Sequence, residues 1–131
     1  GHNHRFGLYD MIMIKDNHVD FAGGVTEAID ATQSYLAKNQ LDLKVEIEIR
    51  TAAELDQALK RGDIDRIMLD NHSPEEIKNA LTKIDKRFET EASGGITKTT
   101  LVDYAETGVD FISVGALTHS SKSLDMSLKA C

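Results

Sequence analysis

"RIMLDNHSPEEIKNALTKIDK", Arg66 to Lys86, carries the chain from a strand into a helix within one short stretch. Arg66–Asp70 is a mainly apolar run of strand length. Asp70, Asn71 and His72 end it abruptly with polar groups. Ser73 then stands where an N-cap belongs, and Pro74 fits the first helical turn. Glu75 and Glu76 lie near the positive end of the helix dipole. The stretch predicts a strand over Arg66–Asp70, a polar corner, and a helix over Pro74–Lys86.

The same unit repeats on both sides. Further strands are expected at Met11–Lys15, Val45–Ile49, Phe88–Ser93 and Phe111–Gly115. Helices are expected near Val25–Lys38, Ala52–Arg61, Lys98–Thr107 and Leu117–Lys129. Gly62 and Gly108 each follow a helix, where a left-handed cap suits glycine. Alternation of this kind means a parallel sheet with right-handed crossovers. The last four strands end at Ile49, Asp70, Ser93 and Gly115, spaced 21, 23 and 22 residues apart. That even spacing suits a barrel of βα units at least as well as an open sheet. A complete eight-unit barrel takes about 250 residues, whereas this sequence has 131. Five units would leave two strand edges unpaired, so the chain is either a small open sheet or part of a larger barrel.

Composition narrows the function. A formal charge of −7 argues against a nucleic-acid binder, which needs a basic face. No apolar run approaches the roughly 20 residues of a membrane span. The one cysteine, Cys131, rules out a disulfide framework within the chain and fits a reducing, cytoplasmic setting.

In parallel α/β folds the active site forms at the carboxyl ends of the strands, and here every strand ends in groups capable of chemistry. The first leads into Lys15, Asp16, Asn17 and His18. The second carries Glu46 and Glu48 on one side, followed by Arg50, and the third ends in Asp70, Asn71 and His72. The fourth ends in "EASGGI" (Glu91–Ile96) and the fifth in "VGALTHS" (Val114–Ser120). Ser93, Gly94 and Gly95 place a hydroxyl and two unshielded amides before a helix, and Gly115 with Ala116 repeats the device. Either cluster alone could be a tight turn; the pair in consecutive units reads as a phosphate site. Glu48 and Asp70 can be read as ligands of a hard cation such as magnesium and of sugar hydroxyls. They can equally be salt-bridge partners of Lys15 or Arg50, and Glu46 could replace Glu48 in either role. His4, Arg5 and Lys15 could hold a dianionic substrate, although His4 and Arg5 also suit a solvated terminus. His2 and His4 lack the further ligands of a zinc site. No serine or cysteine elbow accompanies His18, His72 or His119, which argues against a triad hydrolase.

Five stretches in order resemble one family: "NHRFGLYDMIMIKDNH" (Asn3–His18), "VEIEI" (Val45–Ile49), "IMLDN" (Ile67–Asn71), "EASGGI" and "GVDFISVGALTHS" (Gly108–Ser120). The family is quinolinate phosphoribosyltransferase, or nicotinate-nucleotide pyrophosphorylase (carboxylating). The resemblance implies consecutive parallel βα units forming about half or more of a TIM-like α/β barrel. It makes residues 1–131 a partial phosphoribosyltransferase domain, without the family's N-terminal domain and first barrel strands. It also implies the reaction, in which quinolinate and phosphoribosyl pyrophosphate give nicotinate mononucleotide, pyrophosphate and CO2, with magnesium, in NAD biosynthesis. His4, Arg5 and Lys15 would then bind quinolinate, with Glu48 and Asp70 on the ribose hydroxyls and the metal. Ser93, Gly94, Gly95, Gly115 and His119 would hold the 5′-phosphate. The whole enzyme would be a homodimer or higher assembly, and this stretch alone inactive. Two rivals are a paralogous enzyme with a different acceptor and a non-catalytic half that binds a phosphate ligand.

Overall fold

The computed structural model describes residues 1–2, 7 and 10–117, and the structure below is theirs. Five strands form one parallel sheet: β1 (Met11–Ile14), β2 (Lys44–Ile49), β3 (Arg66–Asp70), β4 (Glu89–Ser93) and β5 (Phe111–Ile112). Their order in the sheet is β1-β2-β3-β4-β5. Between them run α1 (Asp16–Ala22), α2 (Val25–Asn39), α3 (Ala52–Arg61), α4 (Pro74–Ile84) and α5 (Leu101–Ala105). The strand order never reverses. With right-handed crossovers all the helices then fall on one face, whereas a doubly wound sheet needs a reversal. This is the wall of an α/β barrel.

Burial separates the two faces. Val45, Ile47 and Ile49 of β2, Ile67 and Leu69 of β3 and Ala92 of β4 join Val25, Ile29, Leu55, Ile77 and Ile84 of the helices in one apolar core. Full burial of such a side chain is worth about 1.5–3 kcal/mol. A one-residue slip would turn the strand members of this set away from the helices, so the core sets the register. The alternate residues point to the other face and are largely charged. In register across the strands, Glu46 stands opposite Arg66 and Arg66 opposite Glu89; Glu48 pairs with Met68, and Met68 with Glu91.

β3 and α3 occupy the spans expected of them. Ser73 caps α4 as expected: its Oγ accepts from the Glu76 amide at 3.3 Å, and Glu76 Oε2 accepts from the Ser73 amide at 2.7 Å. This closed capping box also holds the Glu76 carboxyl below its ordinary range, chiefly through the backbone bond from Ser73. α4 ends at Ile84 because Asp85 and Lys86 turn left-handed, with φ of 50° and 57°. α5 is shorter than the expected Lys98–Thr107. The Thr97 amide donates to Thr100 Oγ1 at 3.0 Å, and threonine hydroxyls of this kind compete with helical bonding. β5 ends at Ile112, and a 3₁₀ turn takes over at Gly115–Leu117. The helix expected from Leu117 to Lys129 lies, beyond its first residue, outside the described residues. α1 was not expected. The Lys15 amide donates to His18 Nδ1 at 2.9 Å, which closes a helical turn directly on the strand end. No helix among the described residues is long and apolar enough to cross a membrane.

Candidate active site

Glu48 and Asp70 sit at the carboxyl ends of adjacent strands, on the face turned from the helices. Burial pushes the Glu48 carboxyl above its ordinary range, and the charges of Asp70 and then Asp16 push it further. Lys15 and Arg50 pull it back only in part. Five charged groups from the ends of three strands therefore share one electrostatic neighbourhood, with three acids around two bases. Glu46 is different: it is wholly buried, lies deeper along β2 and acts on Arg66. Of the two glutamates, Glu48 is therefore the one at the strand end, beside Asp70.

Arg50 is not the partner of either carboxylate. Its Nη2 donates to Asp20 Oδ1 at 2.8 Å and to Glu54 Oε1 at 2.7 Å. These bonds, Asp20 first, raise its already high pKa. Lys15 differs in being exposed, and its ammonium has no ion pair among the described residues. Among the described residues it is the cation available to a ligand at this rim.

The corners after β3 and β4 are joined. The Asn71 amide N–H donates to the Ser93 carbonyl at 2.9 Å, and Asn71 Nδ2 donates to Asp70 Oδ2 at 2.6 Å. Tyr104 Oη donates to the His72 carbonyl at 3.0 Å. His72 Nδ1 lies 3.0 Å from the Asp70 carbonyl; a carbonyl only accepts, so this nitrogen carries the proton. Gly94 has a φ of 90°, and a Cβ there would lie 2.7 Å from the Asn71 backbone nitrogen. Gly95, at φ 62°, faces open space. The two glycines do not open a helix, as the sequence suggested, because α5 begins only at Leu101. They form a loop whose first glycine meets the β3 corner and whose second leaves its backbone accessible. Gly94→Ala is expected to cost about 1–3 kcal/mol, since it combines left-handed strain with a backbone clash. A urea titration would check this; an unchanged midpoint would mean that the corner rearranges freely.

Beneath the rim lies a charged layer that sequence reasoning missed. Arg66 donates through Nη1 to Glu91 Oε2 at 3.1 Å and through Nη2 to Glu89 Oε2 at 3.1 Å. Its guanidinium lies 4.2 Å from the centroid of the Phe111 ring. Burial opposes the Arg66 charge, but the Glu89 bond and the charges of Glu46, Glu89 and Glu91 outweigh it and raise its pKa. Ser113 Oγ donates to Glu91 Oε1. The available signal was the recurrence of charge at alternate positions of otherwise apolar strands.

His4, Arg5 and His119 lie outside the described residues. Gly115 is placed at the start of the 3₁₀ turn, exposed at the end of the fifth unit. As magnesium ligands Glu48 and Asp70 fit in kind: both are hard oxygen donors, and a cation would relieve the repulsion that Asp70 exerts on Glu48. No described cluster offers three protein ligands, so phosphate oxygens and water would complete the shell, as magnesium commonly requires.

Residues 1–129 match the family described as quinolinate phosphoribosyl transferase, C-terminal domain. The quinolinate phosphoribosyltransferase (decarboxylating) 1b of Nicotiana tabacum is 46% identical over 98% of this chain and 41% of its own length. The chloroplastic nicotinate-nucleotide pyrophosphorylase (carboxylating) of Arabidopsis thaliana is likewise 46% identical, with the same 98% and 41% coverage. The solved nicotinate-nucleotide pyrophosphorylase from Francisella tularensis superposes with a TM-score of 0.82 at 40% identity, covering 98% of this chain and 44% of that one. The chain spans about two-fifths of the length of the curated relatives it matches.

Proposed function

Because this chain belongs to the quinolinate phosphoribosyl transferase family, whose C-terminal domain it matches, we propose that the whole protein transfers a phosphoribosyl group to quinolinate and decarboxylates the product. The products are nicotinate mononucleotide, pyrophosphate and CO2. The observation that carries this reading is the meeting of Lys15, Glu48 and Asp70 at one rim, beside the glycine loop after β4. A dianionic acceptor, a sugar and a phosphate each find matching chemistry there.

The ring nitrogen of quinolinate attacks the anomeric carbon as the bond to pyrophosphate breaks. Positive charge develops on the ribose ring, and the carboxylates of Glu48 and Asp70 stabilise it from the hydroxyl side. Magnesium held by these carboxylates and by phosphate oxygens would neutralise the departing pyrophosphate. The Ser93–Gly94–Gly95 loop and Gly115 take the 5′-phosphate, with His119. His4, Arg5 and Lys15 hold the two adjacent carboxylates of quinolinate. Once alkylated, the positively charged pyridinium nitrogen stabilises the electron pair left on the adjacent ring carbon as its carboxylate departs as CO2. A proton then replaces CO2 on that carbon, beside the Lys15 ammonium, which stabilises the carbanion before it is protonated.

We assign the protein to the cytoplasm on its single cysteine and, on the resemblance, to a homodimer or higher assembly; the Arabidopsis relative is named as chloroplastic. The test is release of labelled CO2 from carboxyl-labelled quinolinate by the longest native reading frame containing this chain. Release should require both phosphoribosyl pyrophosphate and magnesium. A folded protein that releases none would lose this assignment to an enzyme with a different acceptor.

A further inference from the structure

We propose that Asn71 is a positioning residue that locks the Asp70 carboxylate and the Ser93–Gly94–Gly95 loop into one geometry, so that the ribose and phosphate sites are presented at a fixed separation. The inference deepens the proposed function and rests on its placing of ribose at Asp70 and phosphate at the loop.

Three contacts of this one residue carry it. The Asn71 backbone N–H donates to the Ser93 carbonyl at 2.9 Å, which ties the β3 corner to the first residue of the glycine loop. Asn71 Nδ2 donates to Asp70 Oδ2 at 2.6 Å. A carboxylate only accepts, so the amide nitrogen must face Asp70 and the amide oxygen must face the other way. That oxygen lies against Gly94, in space that a Cβ would need. The side chain therefore fills the gap between the sugar-site carboxylate and the phosphate loop. It can do so because Asn71 is left-handed, with a φ of 55°, a conformation that asparagine tolerates far better than most side chains. An exposed residue in a strained conformation, bonded to both halves of a site, is better explained by that site than by folding. The His72 carbonyl, held by Tyr104, keeps the next residue of the corner in place.

Side-chain and backbone roles separate cleanly. Asn71→Gly keeps the left-handed backbone without strain and removes the amide. Asn71→Asp keeps size and backbone tolerance but sets a second carboxylate beside Asp70 in place of a donor. In the full-length protein, Asn71→Gly should raise KM for phosphoribosyl pyrophosphate about tenfold, with KM for quinolinate unchanged and thermal stability near wild type. Asn71→Asp should give the same rise, because it sets a carboxylate against Asp70 where the amide donated a hydrogen bond. Calorimetric binding of ribose 5-phosphate gives a readout that does not depend on the acceptor, and Asn71→Gly should weaken it by a similar factor. Wild-type affinity for ribose 5-phosphate in Asn71→Gly would overturn the positioning role. A wild-type protein that binds ribose 5-phosphate but releases no CO2 from quinolinate would overturn the proposed function and leave the role of Asn71 standing.

Discussion

Glu48→Gln is expected to lower turnover by about two to three orders of magnitude while making the protein more stable at neutral pH. Both effects arise from one feature: a carboxylate held in an unfavourable place. Burial, Asp70 and Asp16 raise its pKa above the ordinary glutamate value, and Lys15 and Arg50 compensate only partly. The folded protein thus binds this proton more tightly than the unfolded chain does. Stability must then fall as pH rises from the unfolded value through the higher folded value. Below that window Glu48 is protonated in both states and costs nothing; above it the repulsion is complete. Glutamine keeps the shape and removes the charge. Melting curves across pH should show the variant above wild type at neutral pH, the gap closing on acidification. Turnover falls because the positive ribose ring loses the charge that the strained carboxylate offered it. A variant with the same turnover would remove Glu48 from the sugar site; one with unchanged melting at every pH would show that the repulsion is relieved in the free protein.

Lys15→Ala should lower kcat/KM for quinolinate by about two orders of magnitude or more, with the binding of ribose 5-phosphate nearly intact. Lys15 follows β1 directly, is exposed, and has no ion pair among the described residues to occupy its ammonium. Arg50, the other cation near Glu48, is already bound to Asp20 and Glu54 and cannot substitute. The same change should reach Glu48, because the charge of Lys15, ahead of that of Arg50, lowers that carboxyl. Its removal leaves Glu48 higher still, so residual activity should lose its acid limb at a higher pH than wild type. Arginine at position 15 should restore part of the binding and less of the turnover, its planar fork being a poor replacement for a compact ammonium. Steady-state rates across pH would check both. Full turnover in Lys15→Ala would take the lysine out of the mechanism.

Much of the wall could be read residue by residue. Ser73, Pro74 and Glu76 announce α4 because a cap and its box are made within four residues. The spans of β3 and α3 follow equally local patterns. α1 escaped because the polar run Lys15–His18 reads as a strand end, and nothing in its composition shows that His18 will close a turn on the Lys15 amide. α5 was overestimated because the threonines before it bond to one another instead of extending the helix.

The candidate site divides in the same way. That Lys15, Glu48, Asp70 and Ser93 stand at strand ends was legible, since the repeating unit places every such end on one rim. The sequence alone therefore determined the parallel βα units, their polar ends and the family. The resemblance had already chosen Glu48 over Glu46; only the tertiary structure buried Glu46, paired Arg50 with Asp20 and Glu54, and buried Arg66 between Glu89 and Glu91. It alone showed that Gly94 makes room for Asn71. Helix caps and strand periodicity act over a few residues, so composition reveals them. The partner of a charge, and the space left to a glycine, depend on which strand lies alongside, and that is settled only when distant segments pack.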